Sequence, residues 1–290
     1  MTIKHLVISG GGPIILQIIA SIQYLEKNNV FKLSDIQSIY GTSAGAIIGV
    51  FICLHFDWET LNDYIIKRPW HEVFKIKAQN LFDSYTNKGI FDTKTIEKCF
   101  KPLFDAKDIS VDISLKDFYE LTKVELHFFS FELNEYILEE ISYKTYPELS
   151  LLTAVQMSCG VPLLFSPVFV YNKCFIDGGL SCNYPLKKCI DSGKNPDEIF
   201  GFKKILLRKN NINNDSTLID FVLFFLYRAL FSISKDNCHP EIKNEITYNT
   251  NFLSVDLFHN CVMNIENRIE LFNEGTQIAT EYLNNIQKKL

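Results

Sequence analysis

Ser43 stands in Gly41-Thr42-Ser43-Ala44-Gly45, a G-x-S-x-G sequence between a predicted strand and a predicted helix. A serine on so sharp a turn has its hydroxyl exposed to one side and can act as a nucleophile. The turn presses its flanks against neighbouring backbone, and Gly41, Ala44 and Gly45 are small enough for that approach. The start of the helix adds free N–H groups and the positive end of its dipole beside a developing alkoxide. A serine here is also a good helix cap next to a packing glycine, which is the reading that needs no chemistry.

Two further segments offer what such a serine lacks. In Ser9-Gly10-Gly11-Gly12-Pro13 the amides of Gly10, Gly11 and Gly12 can converge on one point, an oxyanion-hole design for the tetrahedral intermediate of acyl transfer. A dinucleotide fingerprint competes for the same glycines, but G-x-G-x-x-G needs a third glycine where Ile15 stands. In Phe175-Ile176-Asp177-Gly178-Gly179 an acid closes a short apolar run. Asp177 supplies a base for Ser43 if burial raises its proton affinity, since a free aspartate is weakly basic. The rival base is a histidine, and His5, His55, His71, His127, His239 and His259 are available. His239 and His259 satisfy the order serine, acid, histidine of an α/β-hydrolase, but the glycine turn follows only the second strand, early for that fold.

These residues need rigid elements beneath them. Residues 4–9 form a short apolar run ending in glycines, and 13–27 place Ile15, Ile18, Ile19, Ile22 and Leu25 at helical spacing. Pro13 suits a first helical turn. A second unit follows, with a strand over 36–40, the turn at Ser43 and an apolar helix over 46–54. Two successive strand–helix units predict parallel strands with right-handed crossovers and a ligand site at their carboxyl ends. Residues 57–123 read as a helical insertion over the sheet, 124–141 as strands, 210–216 as a flexible asparagine-rich loop and 205–290 as a mainly helical extension. Residues 221–233, FVLFFLYRALFSI, are apolar nearly all round. They predict a buried helix, with docking on a membrane face as the alternative.

The 290 residues are 47% apolar and carry a net charge of -5, enough for a two-sided core and too acidic for a phosphate-backbone footprint. Nucleic acid is therefore not an expected partner, and any membrane attachment rests on apolar contact. The 8 cysteines are scattered without zinc-site spacing, predicting reduced thiols and an intracellular, cytoplasmic setting, at most peripheral to membranes. No apolar run approaches the length of a bilayer span.

Together the glycine loop, GTSAGA and DGG resemble the patatin-like phospholipase family. The run over 150–168 is similar to that family's too, through Ala154, Ser158, Pro162, Phe165 and Pro167, as is Asn183-Tyr184-Pro185-Leu186. The resemblance covers 4–190. It implies a three-layer α/β/α sandwich with a mostly parallel sheet, one domain over 1–290, and a Ser43–Asp177 dyad without histidine. It implies ester hydrolysis of phospholipids or neutral lipids through an acyl-enzyme, the Gly10, Gly11 and Gly12 amides holding the oxyanion and Gly41, Gly45, Gly178 and Gly179 supporting the motifs. No metal or cofactor is implied. One departure stands out: the family carries a basic residue and a glycine where this chain has Ile14 and Ile15. The alternative is therefore a lipid-binding module of the same fold with impaired turnover.

Overall fold

A computed structural model describes residues 2–206, 212–233, 240–250 and 255–288. In chain order the first elements are β1 (His5–Ile8), α1 (Ile15–Lys27), β2 (Ser38–Thr42), α2 (Ala44–Cys53), α3 (Trp58–Lys67), α4 (Trp70–Val73), α5 (Ala78–Asn87), β3 (Gly89–Phe91), α6 (Thr93–Asp105) and α7 (Leu115–Thr122). There follow β4 (Glu125–Glu132), β5 (Ile137–Ser142), α8 (Leu151–Cys159), β6 (Leu163–Phe165), β7 (Val168–Val170), β8 (Lys173–Asp177) and α9 (Leu186–Asp191). The last are β9 (Ile199–Leu206), α10 (Leu218–Ile233), β10 (Glu245–Thr250), α11 (Val255–Met263) and α12 (Ile265–Gln287).

The main sheet runs β10-β9-β1-β2-β4-β8-β7, with β5 added on β4. The neighbours from β10 to β4 are parallel, as the strand–helix units predict, whereas β5, β8 and β7 join antiparallel. Alternation along the strands builds a core on each face. Leu6, Ile8, Ile39, Leu126, Phe128, Phe200 and Phe202 enter the large core shared with α1, α2, α6 and α8. Val7, Tyr40, Phe129 and Ile199 enter a thinner one covered by Tyr184, Leu186 and Cys189. The result is the expected α/β/α layering.

The register around β4 brings the two ends of the site together. β5 pairs with β4 over His127 to Glu132 and so occupies one edge. β2, paired as far as Thr42↔Phe129, and β8, paired from Ser130↔Asp177, must share the other edge. One strand arrives parallel and the other antiparallel, so the residues ending them, Thr42 before Ser43 and Asp177, lie against consecutive β4 residues.

Several expectations change. The helix read from Pro13 opens as a 3-10 turn, Gly12–Ile14, before α1. The insertion over 57–123 is helical except for β3, which pairs with β6 in a separate two-stranded sheet. The stretch over 205–290 is mainly helical but contains β10, while β9 extends to Leu206, and both complete the main sheet. α10 is not a buried helix: Leu218, Phe221 and Phe225 are all more than half exposed. The predicted loop over 210–216 lies partly, and Cys238 and His239 lie wholly, outside the described residues.

Candidate functional site

Ser43 has φ 54° and ψ −120°, a conformation that costs an L residue on the order of 1–3 kcal/mol. The cost is sustained by packing on all sides. A β-carbon on Gly45 would lie 2.3 Å from the Ile8 carbonyl oxygen, so only glycine lets α2 start this close to β1. Gly41 lies equally tightly on Gly45, and Gly10 passes beneath Ser43. The Ser43 N–H donates to Ser158 Oγ at 3.0 Å, and Ser158 Oγ–H donates to the Phe129 carbonyl at 2.8 Å. The turn is thereby tied to β4 through α8. Ser43 makes no side-chain capping bond to α2, which removes the reading as a plain helix cap.

The Ser43 side chain instead meets Asp177, whose residue is 4% exposed. Burial drives the Asp177 carboxyl up to about 6, while Ser43, the Gly179 N–H and the charge of Lys204 hold it down. The Gly179 amide donates to Asp177 Oδ1 at 2.6 Å. Gly178 lies on β4, where an added β-carbon would fall 2.2 Å from the Phe129 carbonyl oxygen. Cys159 also touches Ser43, and burial pushes its thiol well above the ordinary value, so it remains protonated.

The three glycine amides of the loop differ in their hydrogen bonding. Gly10 N–H donates to the Asn183 carbonyl at 3.1 Å, and Asn183 Nδ2 returns a bond to the Gly10 carbonyl at 3.1 Å. The Gly10 amide is therefore engaged elsewhere. The Gly11 and Gly12 amides have no partner among the described residues, and Ala44 adds a first-turn helix amide beside Ser43. Ile14 is buried with its side chain filling the space over Gly11.

Ser43 and Gly12 open into a cavity of about 190 Å³, larger than the engineered apolar cavities of roughly 150 Å³ that stay dry and take up hydrocarbon. Its walls include Ile15, Ile19, Phe51, Trp70, Phe100 and Phe258. At its edge the buried Arg268 donates to the carbonyls of Ile66, Arg68, Cys261 and Val262, tying the end of α3 to that of α11. The sequence offers no periodic signal for this wall, which draws on α1, α2, α4, α6 and α11, and none for Lys204.

No histidine among the described residues lines the cavity. His55, His71 and His259 are exposed. His5 is bonded to Ser38, and burial drives it down to about 4. Burial would lower His127 as well, but its bonds to Glu125 and Glu140 outweigh that and raise it.

Comparison with known proteins gives the family and the fold. A family model described as Patatin-like phospholipase matches residues 6–190. The chain is 24% identical over 283 residues to a probable lipid hydrolase, 463L, of Invertebrate iridescent virus 6, covering 96% of this chain and 88% of the relative. It is 27% identical over 273 residues to the uncharacterized protein YqhO of Bacillus subtilis, covering 86% and 87% of the two chains. Among solved structures, VipD from Legionella pneumophila shares the fold with a TM-score of 0.56 and 15% identity, over 98% of this chain and 67% of that one.

Proposed function

Because the chain belongs to the patatin-like phospholipase family, we propose that it hydrolyses carboxylic esters of lipids, with Ser43 as nucleophile and Asp177 as its base. The observation that carries this reading is Ser43 itself, held in a costly conformation that turns its side chain from helix capping to a buried carboxylate at the mouth of an apolar cavity. The naming of the viral relative as a probable lipid hydrolase supports the same substrate class.

Ser43 Oγ attacks the acyl carbonyl as its proton passes to Asp177. The carbonyl oxygen becomes an oxyanion held by the Gly11, Gly12 and Ala44 amides. Collapse breaks the bond to the alcohol, which leaves with the proton from Asp177, and the acyl group remains on Ser43. Water then attacks the acyl-enzyme while Asp177 accepts its proton and returns it to Ser43 as the fatty acid departs. The acyl chain occupies the cavity, where aromatic and aliphatic walls replace water. Since these walls run from Gly12 to Arg268, the reading treats the chain as one domain.

The lipid surface is met by α10, which packs on the 3-10 turn Gly178–Leu180 and exposes Leu218, Phe221 and Phe225 at helical spacing. A second reading rests on Ile14 filling the space over Gly11, which would leave a module that binds lipid without turnover. An alkyl fluorophosphonate separates the two. The proposal expects one adduct on Ser43 by mass spectrometry, absent in Ser43→Ala. A folded protein that stays unlabelled while binding lipid would support the second reading.

A further inference from the structure

β9 brings a lysine to the site from outside all three motifs. Lys203 and Lys204 are consecutive, so their side chains leave opposite faces of the sheet. Lys203 pairs with Glu245 at 3.4 Å and lies over the Tyr184 ring. Lys204 takes the other face, with its Cδ 3.1 Å from where a β-carbon on Gly11 would sit. Its backbone N–H donates to Ser9 Oγ at 2.9 Å, fixing this point of β9 to the residue that opens the glycine loop.

The Lys204 ammonium makes no hydrogen bond or ion pair among the described residues. Lys204 is partly buried, and an unpaired ammonium with reduced access to water is costly, so a lysine at such a position favours a compensating charge nearby. The residue it bonds just past β1 is the neutral Ser9, and the residue in register on β10 is Tyr248, whose phenol burial keeps neutral. Asp177 is the charged group among the described residues that faces it. Burial draws the lysine down to about 8 and the Asp177 charge opposes that, so the ammonium form predominates at neutral pH.

We infer that Lys204 is the electrostatic partner of the Ser43–Asp177 pair, keeping Asp177 ionised and placing beside Gly11 the positive charge that the loop itself, with Ile14 and Ile15, does not carry. Lys204 is a positioning residue, acting through Asp177 and the loop amides rather than by touching the substrate. The inference rests on the reading of Ser43 and Asp177 given above.

The test compares the full-length protein with Lys204→Met, which keeps the length and removes the charge, and Lys204→Arg, which keeps the charge. On a soluble p-nitrophenyl ester, Lys204→Met is expected to lose about tenfold in kcat with KM within about twofold, and Lys204→Arg to stay within about threefold of the wild type. The acid limb of kcat/KM moves to higher pH in Lys204→Met, because Asp177 loses the charge that favours its ionised form. An alkaline fall near pH 8 in the wild type is absent from Lys204→Arg. Wild-type kcat and an unmoved acid limb in Lys204→Met overturn the inference, as does equal damage in both variants. A wild type lacking Ser43-dependent turnover defeats the functional reading instead. In that case a carbon NMR titration of the Asp177 carboxyl decides without turnover: a rise in Lys204→Met upholds the inference, and an unchanged midpoint overturns it. If Lys204→Met does not fold, Lys204→Gln takes its place in both measurements.

Discussion

Asp177 illustrates how a single buried group couples chemistry to stability. Its carboxyl is raised from the ordinary 3.8 to about 6, first by burial, so the folded state resists the charged form. Two consequences have opposite signs. For catalysis the base must be ionised in the free enzyme, so kcat/KM is expected to fall as pH drops through about 6, with kcat/KM against pH on a soluble ester as the measurement. For stability the folded state holds the proton more tightly than the unfolded chain, so stability declines as pH rises from about 4 to about 6 and is level above. At ~1.36 kcal/mol per pH unit the penalty at neutral pH is about 3 kcal/mol. Asp177→Asn is therefore expected to be inactive yet more stable than the wild type at pH 7, by up to about 3 kcal/mol, an advantage that vanishes below about pH 4. Urea unfolding at the two pH values checks it.

Among the elements, β4 acts as the ruler that sets Ser43 against Asp177, because β2 and β8 end on consecutive residues of one edge. Ser158 on α8 fastens the turn to that ruler, accepting from Ser43 N–H and donating to Phe129. Ser158→Ala leaves both groups unpaired and is expected to cost roughly 2 kcal/mol of stability, with a fall in kcat larger than any change in KM. Denaturant melts and steady-state kinetics test the two parts. The β1–α1 and β2–α2 units could be read from sequence because their apolar spacing and glycine turns agree on one answer. Edge strand β10 escaped that reading because Glu245–Thr250, EITYNT, has only Ile246 and Tyr248 to carry its alternation, and β3 because three residues carry no period. The pairing of Ser43 with Asp177 was expected from motifs, whereas its cause, the shared edge of β4, is a matter of register that no local pattern encodes.

Across the molecule, the apolar cavity beside Ser43 forms among helices from both halves of the chain, so its lining could not be listed from local spacing. Composition misled in one place: residues 221–233 look apolar on every side, yet α10 lies at the surface with Leu218, Phe221 and Phe225 outward. An exposed apolar stripe of this kind marks a contact surface. Replacing all three with serine is expected to lower hydrolysis of phospholipid vesicles about tenfold or more while changing hydrolysis of a soluble short-chain ester by less than about twofold. Equal losses on both substrates would assign the stripe to the fold instead. The net charge of -5 adds that vesicle activity should vary little with anionic lipid content.

The role of Ser43 and Asp177 is decided by hydrolysis of p-nitrophenyl acyl esters and a mixed phospholipid panel by the wild type, Ser43→Ala and Asp177→Asn, each verified as folded. Turnover by the wild type is expected, with a loss of at least about 10³-fold in both variants, as for residues that act as a unit. A wild type inactive on every ester, or turnover that survives either substitution, would contradict that role.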